Sequence, residues 1–306
     1  MHIKSVPELF NKFTTQETCV KYLEEIIWKD KPLSPFDINS EIYSFKNGKY
    51  KCKATGKYFN VMHGTMFENT EIELQKWFYA IWLITSHKKG IASTQLAKEI
   101  NVTQKTAWFM QQRIRHCFFV ENNNMLEGII EADESFYGGK NINRHRDKKV
   151  KNNQGRSFKD KTPVFGMIAR GGKMTAIVTK NTSKNSLQKL IKKFVKPESI
   201  FISDDWKGYI GLDSEYSHYT VKHSGNKYVN MHDPFYHTNH IEGAWKIMKN
   251  SLRDMYSFVS KKHLQVYVDE FVYRYNMRNL EQSDRFNWLV LNSGIRTTYK
   301  NLVKQK

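Results

Sequence analysis

Two apolar segments of the chain run directly into acidic residues. The segment GIIEADES places Glu131 and Asp133 two residues apart, and the segment SIFISDDW leads into Asp204 and Asp205. Side chains two apart on a strand share a face, so Glu131 and Asp133 should point one way and Glu134 the other. A carboxylate in such a run costs desolvation energy unless it is paired, and a divalent cation is a suitable partner. A strand-end turn, where Asp is favoured for local reasons, is the alternative interpretation of each segment.

A third acidic residue leads a basic stripe on a helix predicted after Thr238. Apolar residues recur there at spacings of four and three, which predicts a core-facing seam of Ile241, Trp245, Met248, Leu252 and Met255. Beside that seam lie one acid and three cations: Glu242, Lys246, Lys249 and Arg253. An acid at a metal centre followed by cations along a phosphate backbone would give this pattern. A surface ladder of ion pairs would give it too.

Asp133, Asp204 and Glu242 together have the chemistry of a phosphoryl-transfer centre. Asp204 follows Asp133 by 71 residues, and Glu242 follows Asp204 by 38. In a mixed α/β domain, two strands and a helix could bring such acids together around two Mg²⁺ ions about 3.5–4 Å apart. One ion would activate the attacking oxygen and the other would stabilise the leaving oxygen. The spacing therefore predicts metal-dependent chemistry on a phosphodiester.

A helix-turn-helix is predicted within residues 91–117. Ser93 can cap a first short helix, and Thr103 can cap a second one after a turn at Asn101. The second helix has an apolar face formed by Ala107, Met110 and Ile114. Four polar residues lie off that face and are predicted to contact DNA: Lys105, Gln112, Arg113 and Arg115. A plain antiparallel helix pair inside a bundle is the alternative.

The overall charge favours a nucleic-acid partner. The 306 residues include 49 Lys plus Arg and 30 Asp plus Glu, a formal net charge of +19. Lys148 and Lys149 belong to a basic segment, 140–161, which is predicted to clamp DNA and could instead be a solubilising loop.

No apolar run reaches the roughly 18 residues of a membrane span. Three cysteines are too few for a disulfide framework. We therefore expect a cytoplasmic protein without a membrane partner.

The predicted domain organisation has four parts. Residues 1–70 mix short helical patterns with a segment rich in Tyr, Phe and Gly, and residues 71–122 are predicted to be helical and to include the helix-turn-helix. Residues 123–280 alternate β-like runs with helices and are predicted to form the catalytic domain. Residues 281–306 are expected to form a C-terminal tail. The predicted fold class is therefore α/β.

Four motifs, taken in order, carry a resemblance to a known family. EADESFYGGK, ISDDWKGYIGL, HTNHIEGAWKIMKNSL and KKHLQVYVDEFVYRYNMR resemble the DDE transposases of insertion sequence family 1595, also called ISXO2-like. The resemblance extends upstream through GTMFENTEIELQKWFYAIWL and the helix-turn-helix, so it covers nearly all of the chain. It implies an RNase H-like catalytic core, with a mixed sheet flanked by helices. A zinc-ribbon-like N-terminal module and a helix-turn-helix would precede that core.

The resemblance also implies roles for individual residues. Asp133, Asp204 and Glu242 would be the catalytic acids and the ligands of two Mg²⁺ or Mn²⁺ ions. Asp205, adjacent to Asp204, and Asn239, three residues before Glu242, are the fallback ligands. Such enzymes hydrolyse a phosphodiester at the terminal inverted repeats of the element, and the exposed 3′-hydroxyl then attacks target DNA. The implied partners are double-stranded DNA and further copies of the chain in a homo-oligomer.

Three other functions would explain parts of this pattern. A repurposed, non-catalytic DNA-binding regulator would be expected to have lost part of the acidic set, which is intact here. A metal-dependent nuclease or resolvase that cuts without joining would use the same metal site. An RNA-binding protein of the translation machinery would explain the charge and leave the strand-end carboxylates unexplained.

The N-terminal module departs from the family pattern. Where the family has two Cys-x-x-Cys pairs, this chain has SPFD at 34–37 and then Cys52 with Thr55. One cysteine cannot supply the four ligands of a structural zinc, so no zinc is expected. We expect instead a ribbon-shaped module held together by Tyr43, Phe45, Tyr50, Tyr58 and Phe59.

Some further residues have two interpretations. A histidine cluster could bind a metal or could simply lie near a phosphate path, although its spacing fits no strong metal pattern: His223, His232, His237 and His240. Cys19 and Cys117 lie in apolar helical patterns and are predicted to be core residues. Packing roles are also predicted for three tryptophans: Trp108, Trp206 and Trp245.

Overall fold

The chain forms two compact units. One consists of Met1–Val120 together with Met277–Lys306, and the other consists of Glu121–Asn276. This computed structural model describes residues 2–29, 31–46, 48–138, 145–150, 161–221 and 235–304. Within those ranges, no helix combines the length and apolar character needed to cross a membrane.

Most of the first unit is helical. Its helices are α1 (Val6–Lys12), α2 (Gln16–Trp28), α3 (Leu74–Ser86), α4 (Ser93–Glu99), α5 (Gln104–Cys117), α9 (Gln282–Leu291) and α10 (Tyr299–Val303). Thr15 and Thr18 form a reciprocal capping box at the start of α2, in which each hydroxyl accepts the other residue's backbone N–H at 3.2 Å. Thr103 caps α5 as predicted, by accepting the Thr106 N–H at 3.2 Å. Ser93 does not cap α4, because it is the first residue inside that helix.

Buried aromatic rings join the helices of this unit. The ring of Phe78 on α3 lies 4.7 Å from Phe13 and 5.7 Å from Phe286 on α9, both in edge-to-face geometry. The predicted core positions of Cys19 and Cys117 are confirmed, since both thiols are fully buried. The core of this unit therefore draws on both its N-terminal and its C-terminal segments.

Residues 281–306 contain two helices that pack within this unit. Ser283 of α9 accepts the backbone N–H of Ile3 at 2.9 Å, and Asn287 accepts the Tyr22 hydroxyl at 2.6 Å. Residues 71–122, predicted to be helical, contain the three helices α3, α4 and α5. The four-part division remains a prediction about functional modules, since the fold itself groups residues 1–120 with 277–306.

A small antiparallel sheet completes the first unit. It contains β1 (Ile42–Phe45), β2 (Lys49–Cys52) and β3 (Tyr58–Phe59), in that order. Tyr50 and Phe59 point inward, where Tyr50 packs edge-to-face on Trp28 at 5.0 Å. The prediction that five aromatics hold this module is wrong for three of them, because Tyr43, Phe45 and Tyr58 are exposed on the opposite face.

The second unit is built on a five-stranded mixed sheet. Its strands are β4 (Ile129–Tyr137), β5 (Thr162–Ala169), β6 (Met174–Val178), β7 (Ile200–Asp204) and β8 (Ser217–Val221). The spatial order is β6-β5-β4-β7-β8. Neighbours are antiparallel on the β6-β5-β4 side and parallel on the β4-β7-β8 side. Strand β5 therefore runs opposite to the other four.

Helices cover both faces of this sheet. On one face α6 (Lys184–Phe194) packs through Leu187 and Ile191 against apolar residues of β4, β5 and β7. On the other face α7 (Asn239–Tyr256) and α8 (Leu264–Asn276) pack against β5 and β6. This architecture confirms the predicted α/β class with a mixed sheet flanked by helices. The narrower RNase H-like assignment that the resemblance implied stays a prediction.

Candidate active site

Asp133 and Asp204 occupy corresponding positions on adjacent parallel strands. In the register of β4 and β7, Ile129 pairs with Ile200 and Glu131 with Ile202, a constant offset of 71 residues. Asp133 and Asp204 are separated by the same 71 residues, so the parallel register alone places them side by side at the edge of the sheet where β7 ends. Strand β4 continues to Tyr137, so Asp133 lies in the middle of its strand and not at the strand end that the sequence predicted. Asp204 is buried and is the last residue of β7.

Glu134 joins these two aspartates. Carboxylate oxygens of Asp133, Glu134 and Asp204 all lie within 4.8 Å of one another. The Tyr209 hydroxyl donates a 2.8 Å hydrogen bond to Oε1 of Glu134, and the backbone N–H of Trp206 donates to Oδ1 of Asp204 at 3.1 Å. Strand alternation predicted that Glu134 would point away from Asp133. The sequence therefore gave no reason to include Glu134 in the acidic group.

The pKa of Tyr209 reflects the negative charge of this acidic group. Tyr209 is fully buried, and burial is the largest cause that raises the pKa of its phenol well above the usual value. Glu134, Asp204 and Asp133 raise the same pKa further, because a phenolate would face three carboxylates. Such a concentration of acids is the environment in which a divalent cation is bound favourably.

Glu242 lies in the first turn of α7, outside this compact group. Its Oε1 accepts a 2.8 Å hydrogen bond from the Thr238 hydroxyl, and its backbone N–H bonds to the Thr238 carbonyl. Among the described residues, two acidic or histidine groups are compact enough to hold an ion, and Glu242 belongs to neither. The structure thus brings together Asp133 and Asp204 of the predicted triad and leaves Glu242 at the start of the neighbouring helix.

Lys249, two turns further along α7, is electrostatically linked to Asp133. Desolvation is the largest influence and lowers the pKa of the Lys249 ammonium, whereas the Asp133 carboxylate raises it and Lys161 lowers it. Lys246 and Arg253, the other cations of the predicted stripe, are exposed, and Arg253 pairs with Asp254 at 2.9 Å. The predicted stripe is therefore present on the helix, and one member, Lys249, interacts electrostatically with Asp133.

A buried ionic clamp, which the sequence did not indicate, fixes the start of α7 to the sheet. Glu131 on β4 is fully buried, and its Oε2 accepts the backbone N–H groups of His240 at 2.9 Å and Ile241 at 3.3 Å. Arg170 donates to Oε1 of Glu131 at 2.7 Å and also to the carbonyls of Phe235 and His237. An anion at a helix N-terminus is favoured by the helix dipole. The clamp holds the entry to the helix that carries Glu242 and Lys249.

The histidines of the predicted cluster are divided by the structure. His240 contacts Glu131 through Nδ1 at 2.7 Å, and His237 lies 3.3 Å from the same carboxylate oxygen. Burial lowers the pKa of His237, and the Arg170 guanidinium lowers it further. Glu131, His237 and His240 form the second group that is compact enough to hold an ion, and Arg170 already supplies a cation to the same carboxylate. His223 and His232 lie outside the described residues.

Comparison with known proteins identifies the family. Residues 125–276 match the family model described as the ISXO2-like transposase domain. An uncharacterised transposase-like protein of Haemophilus influenzae is 30% identical over 107 residues, which cover 34% of this chain and 81% of that protein. The chain belongs to this transposase family.

Three further matches extend beyond the family domain. An uncharacterised protein in the transposable element ISH50 of Halobacterium salinarum is 26% identical over 231 residues, which cover 71% of this chain and 78% of that protein. A solved structure of a pre-cleavage Mos1 transpososome aligns with 95% of this chain and 97% of its own at 11% identity, with a TM-score of 0.27. A Mos1 strand transfer complex aligns with 97% of this chain and all of its own, with a TM-score of 0.28.

The matched transposase domain nearly coincides with the second unit. It spans 125–276, whereas the unit spans Glu121–Asn276. The acidic group, the ionic clamp and helix α7 all lie within it. The two predicted fallback ligands are both exposed. Asp205 lies immediately after β7, and Asn239 is the first residue of α7.

Trp245 is buried against Gly166, which confirms its predicted packing role.

Outside the transposase domain, the helix-turn-helix prediction needs correction at three residues. Gln112, Arg113 and Arg115 are buried, so they cannot reach DNA from this position. Arg113 donates to the carbonyl of Thr297 at 3.1 Å and also to that of Glu68. Lys105, in contrast, is exposed in the first turn of α5. Of the four predicted contacts, Lys105 is the one on the surface, and its contact with DNA stays a prediction.

The basic segment after β4 is described only in part. Lys149 is exposed, and the backbone of Lys148 belongs to a short helical turn at Arg146–Lys148. Residues 139–144 and 151–160 of the region lie outside the described residues. The prediction that this segment clamps DNA therefore stays a prediction.

Proposed function

We propose that the chain is a DNA transposase of a bacterial insertion sequence. It binds the terminal inverted repeats of its element, hydrolyses a phosphodiester there and joins the released 3′-hydroxyl to target DNA. The observation that carries this proposal is the meeting of Asp133, Glu134 and Asp204 within 4.8 Å at one sheet edge. Family membership supports the reaction class, and the acidic group supplies carboxylates that could bind the metal ions of that reaction.

The donor atoms of this edge fit a hard divalent cation. Carboxylate oxygens are the ligands that Mg²⁺ and Mn²⁺ prefer, and three of them can surround one ion at this spacing. Asp133, Glu134 and Asp204 would hold that ion. Glu242, or Asn239 one turn earlier on the same helix, would complete the ligands of the second. When bound, such ions supply Lewis acidity for the attacking and leaving oxygens of the phosphodiester.

The side chains of the chain position and neutralise the substrate. The Glu131–Arg170 clamp fixes the helix entry, so that Glu242 and Lys249 keep a constant position relative to β4. Lys249 is the cation of α7 that Asp133 influences, and its ammonium would bind a phosphate next to the reacting group. Lys246 and Arg253 continue the positive stripe along the exposed face of α7. They would contact the DNA backbone without reading sequence.

Double-stranded DNA is the proposed partner, held by an oligomer. A net charge of +19 favours phosphate contacts, and Lys105 lies where a recognition helix begins. The joining of two element ends requires two active sites at one place, which a homo-oligomer on DNA would provide. Both statements rest on charge and family membership.

A joining assay tests the proposal. Purified protein is incubated with Mg²⁺ or Mn²⁺, supercoiled plasmid and labelled duplexes copied from the inverted repeats that flank the gene. We expect label to become covalently joined to plasmid with the unchanged chain and with Asp205→Asn, and not with Asp204→Asn. Nicking of the duplexes without joining would instead identify a nuclease. Specific binding without nicking or joining, equal in all three proteins, would identify a DNA-binding regulator and contradict the enzymatic proposal.

A further inference from the structure

One face of the small N-terminal sheet carries only aromatic and basic side chains. The register pairs Tyr43 with Lys51, Phe45 with Lys49 and Lys51 with Tyr58, and side chains of paired residues lie on the same face. None of these five residues is acidic. The face therefore alternates rings with ammonium groups across three strands.

The three rings on this face are all exposed. The exposed fraction is 48% for Tyr43, 47% for Phe45 and 61% for Tyr58. Transfer of an aromatic ring out of water is favourable. Several exposed rings on one small sheet therefore indicate a surface that another molecule covers. The rings also contact one another, since Phe45 and Tyr58 have centroids 5.7 Å apart.

The opposite face of the sheet provides the support. Tyr50 donates a hydrogen bond to Glu24 of α2 at 2.9 Å, and Phe59 is buried with its ring 6.1 Å from Trp28. Cys52, fully buried, ends strand β2 on this inner side. Because the inner face is already anchored, the outer rings are not needed to hold the sheet to the unit.

We propose that this outer face binds single-stranded DNA by stacking its rings on unpaired bases. The rings of Tyr43, Phe45 and Tyr58 would each face one base, while Lys49 and Lys51 would contact the phosphates between them. The Nζ of Lys51 already lies 5.4 Å from the centroid of Tyr58, so ring and charge are presented together. The face is distinct from the acidic edge of the second unit, and the proposal goes beyond the catalytic function.

Unpaired bases fit this face better than a duplex does. In a duplex the base faces are covered by their neighbours, and only edges and backbone are accessible to a protein. A sheet face with exposed rings offers base-sized stacking platforms, which every base can use whatever its sequence. The lysines supply a salt-dependent attraction common to both kinds of DNA. The rings should therefore distinguish single strands from duplexes.

Fluorescence anisotropy with two labelled probes tests this proposal. The full-length chain is titrated, with EDTA present to prevent catalysis, into a fluorescein-labelled 15-nucleotide single strand or into the matching duplex. The test variant carries Tyr43→Ser, Phe45→Ser and Tyr58→Ser together. Phe258→Ser is the matched control, because Phe258 is 77% exposed and lies outside the face.

The expected results separate stacking from charge. The triple variant should bind the single strand at least about tenfold more weakly, while its duplex affinity stays within about twofold and Phe258→Ser changes neither. Lys49→Ala with Lys51→Ala should weaken both probes and flatten the salt dependence. Unchanged single-strand affinity in the triple variant, or an equal loss for both probes, would overturn the proposal. Circular dichroism checks folding, and Tyr58→Ser alone replaces the triple variant if that one unfolds.

Discussion

Asp133 and Asp204 reach the same sheet edge because their separation in sequence equals the register offset of strands β4 and β7. Ile129 pairs with Ile200 at the same distance of 71 residues. Any insertion between the two strands leaves this relationship intact provided that the register is kept, whereas a slip by one residue would turn one carboxylate to the other face. Phe201 and Ile202, adjacent and fully buried, anchor β7 on both faces of the sheet.

Removal of one carboxylate should change both stability and metal binding. Glu134→Gln relieves repulsion in the group, so we expect the variant to melt a few degrees higher than the unchanged chain when EDTA is present. The Tyr209 hydroxyl can still donate to the new amide oxygen. Addition of MnCl₂ should raise the melting temperature of the variant by less than it raises that of the unchanged chain, because one ligand is lost. Differential scanning fluorimetry measures both quantities.

Two controls make this comparison specific. Glu127→Gln removes an exposed acid that pairs with Lys196, and it should change neither the melting temperature nor the response to Mn²⁺. Glu242→Gln should leave most of the Mn²⁺ response intact, since Glu242 lies outside the compact group, and should reduce joining activity. An equal Mn²⁺ response in Glu134→Gln and the unchanged chain would rule out Glu134 as a ligand.

The ionic clamp should be a major source of stability for the second unit. Glu131→Ala removes the carboxylate that faces Arg170 and the first N–H groups of α7, and should cost about 3–5 kcal/mol of unfolding free energy. Glu131→Gln keeps one acceptor oxygen and should cost about 1–3 kcal/mol. Urea unfolding followed by circular dichroism gives the values. A cost in Glu131→Ala no larger than in the exposed control Glu127→Ala would contradict the role of the clamp.

Gly166 should be intolerant of any side chain. It pairs with Asp133 across the sheet, and a Cβ there would lie 2.5 Å from Cη2 of Trp245 on α7. Gly166→Ala should therefore push α7 away from β4 and β5, with a loss of about 1–3 kcal/mol and reduced joining activity. Thermal melting and the joining assay measure the two effects.

Gly243 provides the matched control on the same helix. An added Cβ at Gly243 meets no atom within 4 Å, so Gly243→Ala should raise stability by about 1 kcal/mol through helix propensity alone. If both alanine variants were destabilised equally, the close packing of Trp245 on Gly166 would not be the cause.

The stability of the second unit should depend on the ionisation of Asp269. Burial raises the pKa of this carboxyl to about 6, although hydrogen bonds from Asn122 and Gln265 lower it. The folded chain therefore holds the proton more tightly than the unfolded chain. Its stability should fall as the pH rises from about 4 to about 6 and then stay constant with respect to this group.

Asp269→Asn should remove this dependence. The amide oxygen can still accept from Asn122 and Gln265, and no charge develops at high pH. We expect the variant to be more stable than the unchanged chain by about 1–3 kcal/mol at pH 8 and equally stable at pH 4, as measured by urea unfolding. A constant stability difference between the two proteins from pH 4 to pH 8 would show that Asp269 does not titrate in this range.

Local sequence patterns predicted which segments form strands and helices better than they predicted what those segments contact in the fold. The apolar runs before Asp133 and Asp204 form strands, and the seam from Ile241 to Met248 forms the buried side of a helix, because both depend on periodicity alone. Arg113 was wrong as a DNA contact, since its acceptors on Glu68 and Thr297 lie 45 and 184 residues away in sequence. Such partners leave no trace in a helical pattern.

The remaining differences have the same origin. Tyr43 and Phe45 were predicted to be core residues by their type, but which face of a small sheet is buried depends on where α2 packs. Glu131 binds Arg170 and the first N–H groups of α7, and these partners come close to Glu131 only when the sheet has formed. Residue type and spacing predicted the acids, whereas tertiary contacts determine which of them meet.

Metal rescue tests the central claim most directly. Asp204→Cys replaces a carboxylate with a thiolate, which binds Mg²⁺ poorly and Mn²⁺ better. If Asp204 ligates a metal during strand transfer, joining by Asp204→Cys should be at least about 100-fold below the unchanged chain in Mg²⁺ and should recover substantially in Mn²⁺. Asp205→Cys should join at normal rates with both ions. Joining by Asp204→Cys at the normal rate in Mg²⁺, or equally absent with both ions, would contradict the account.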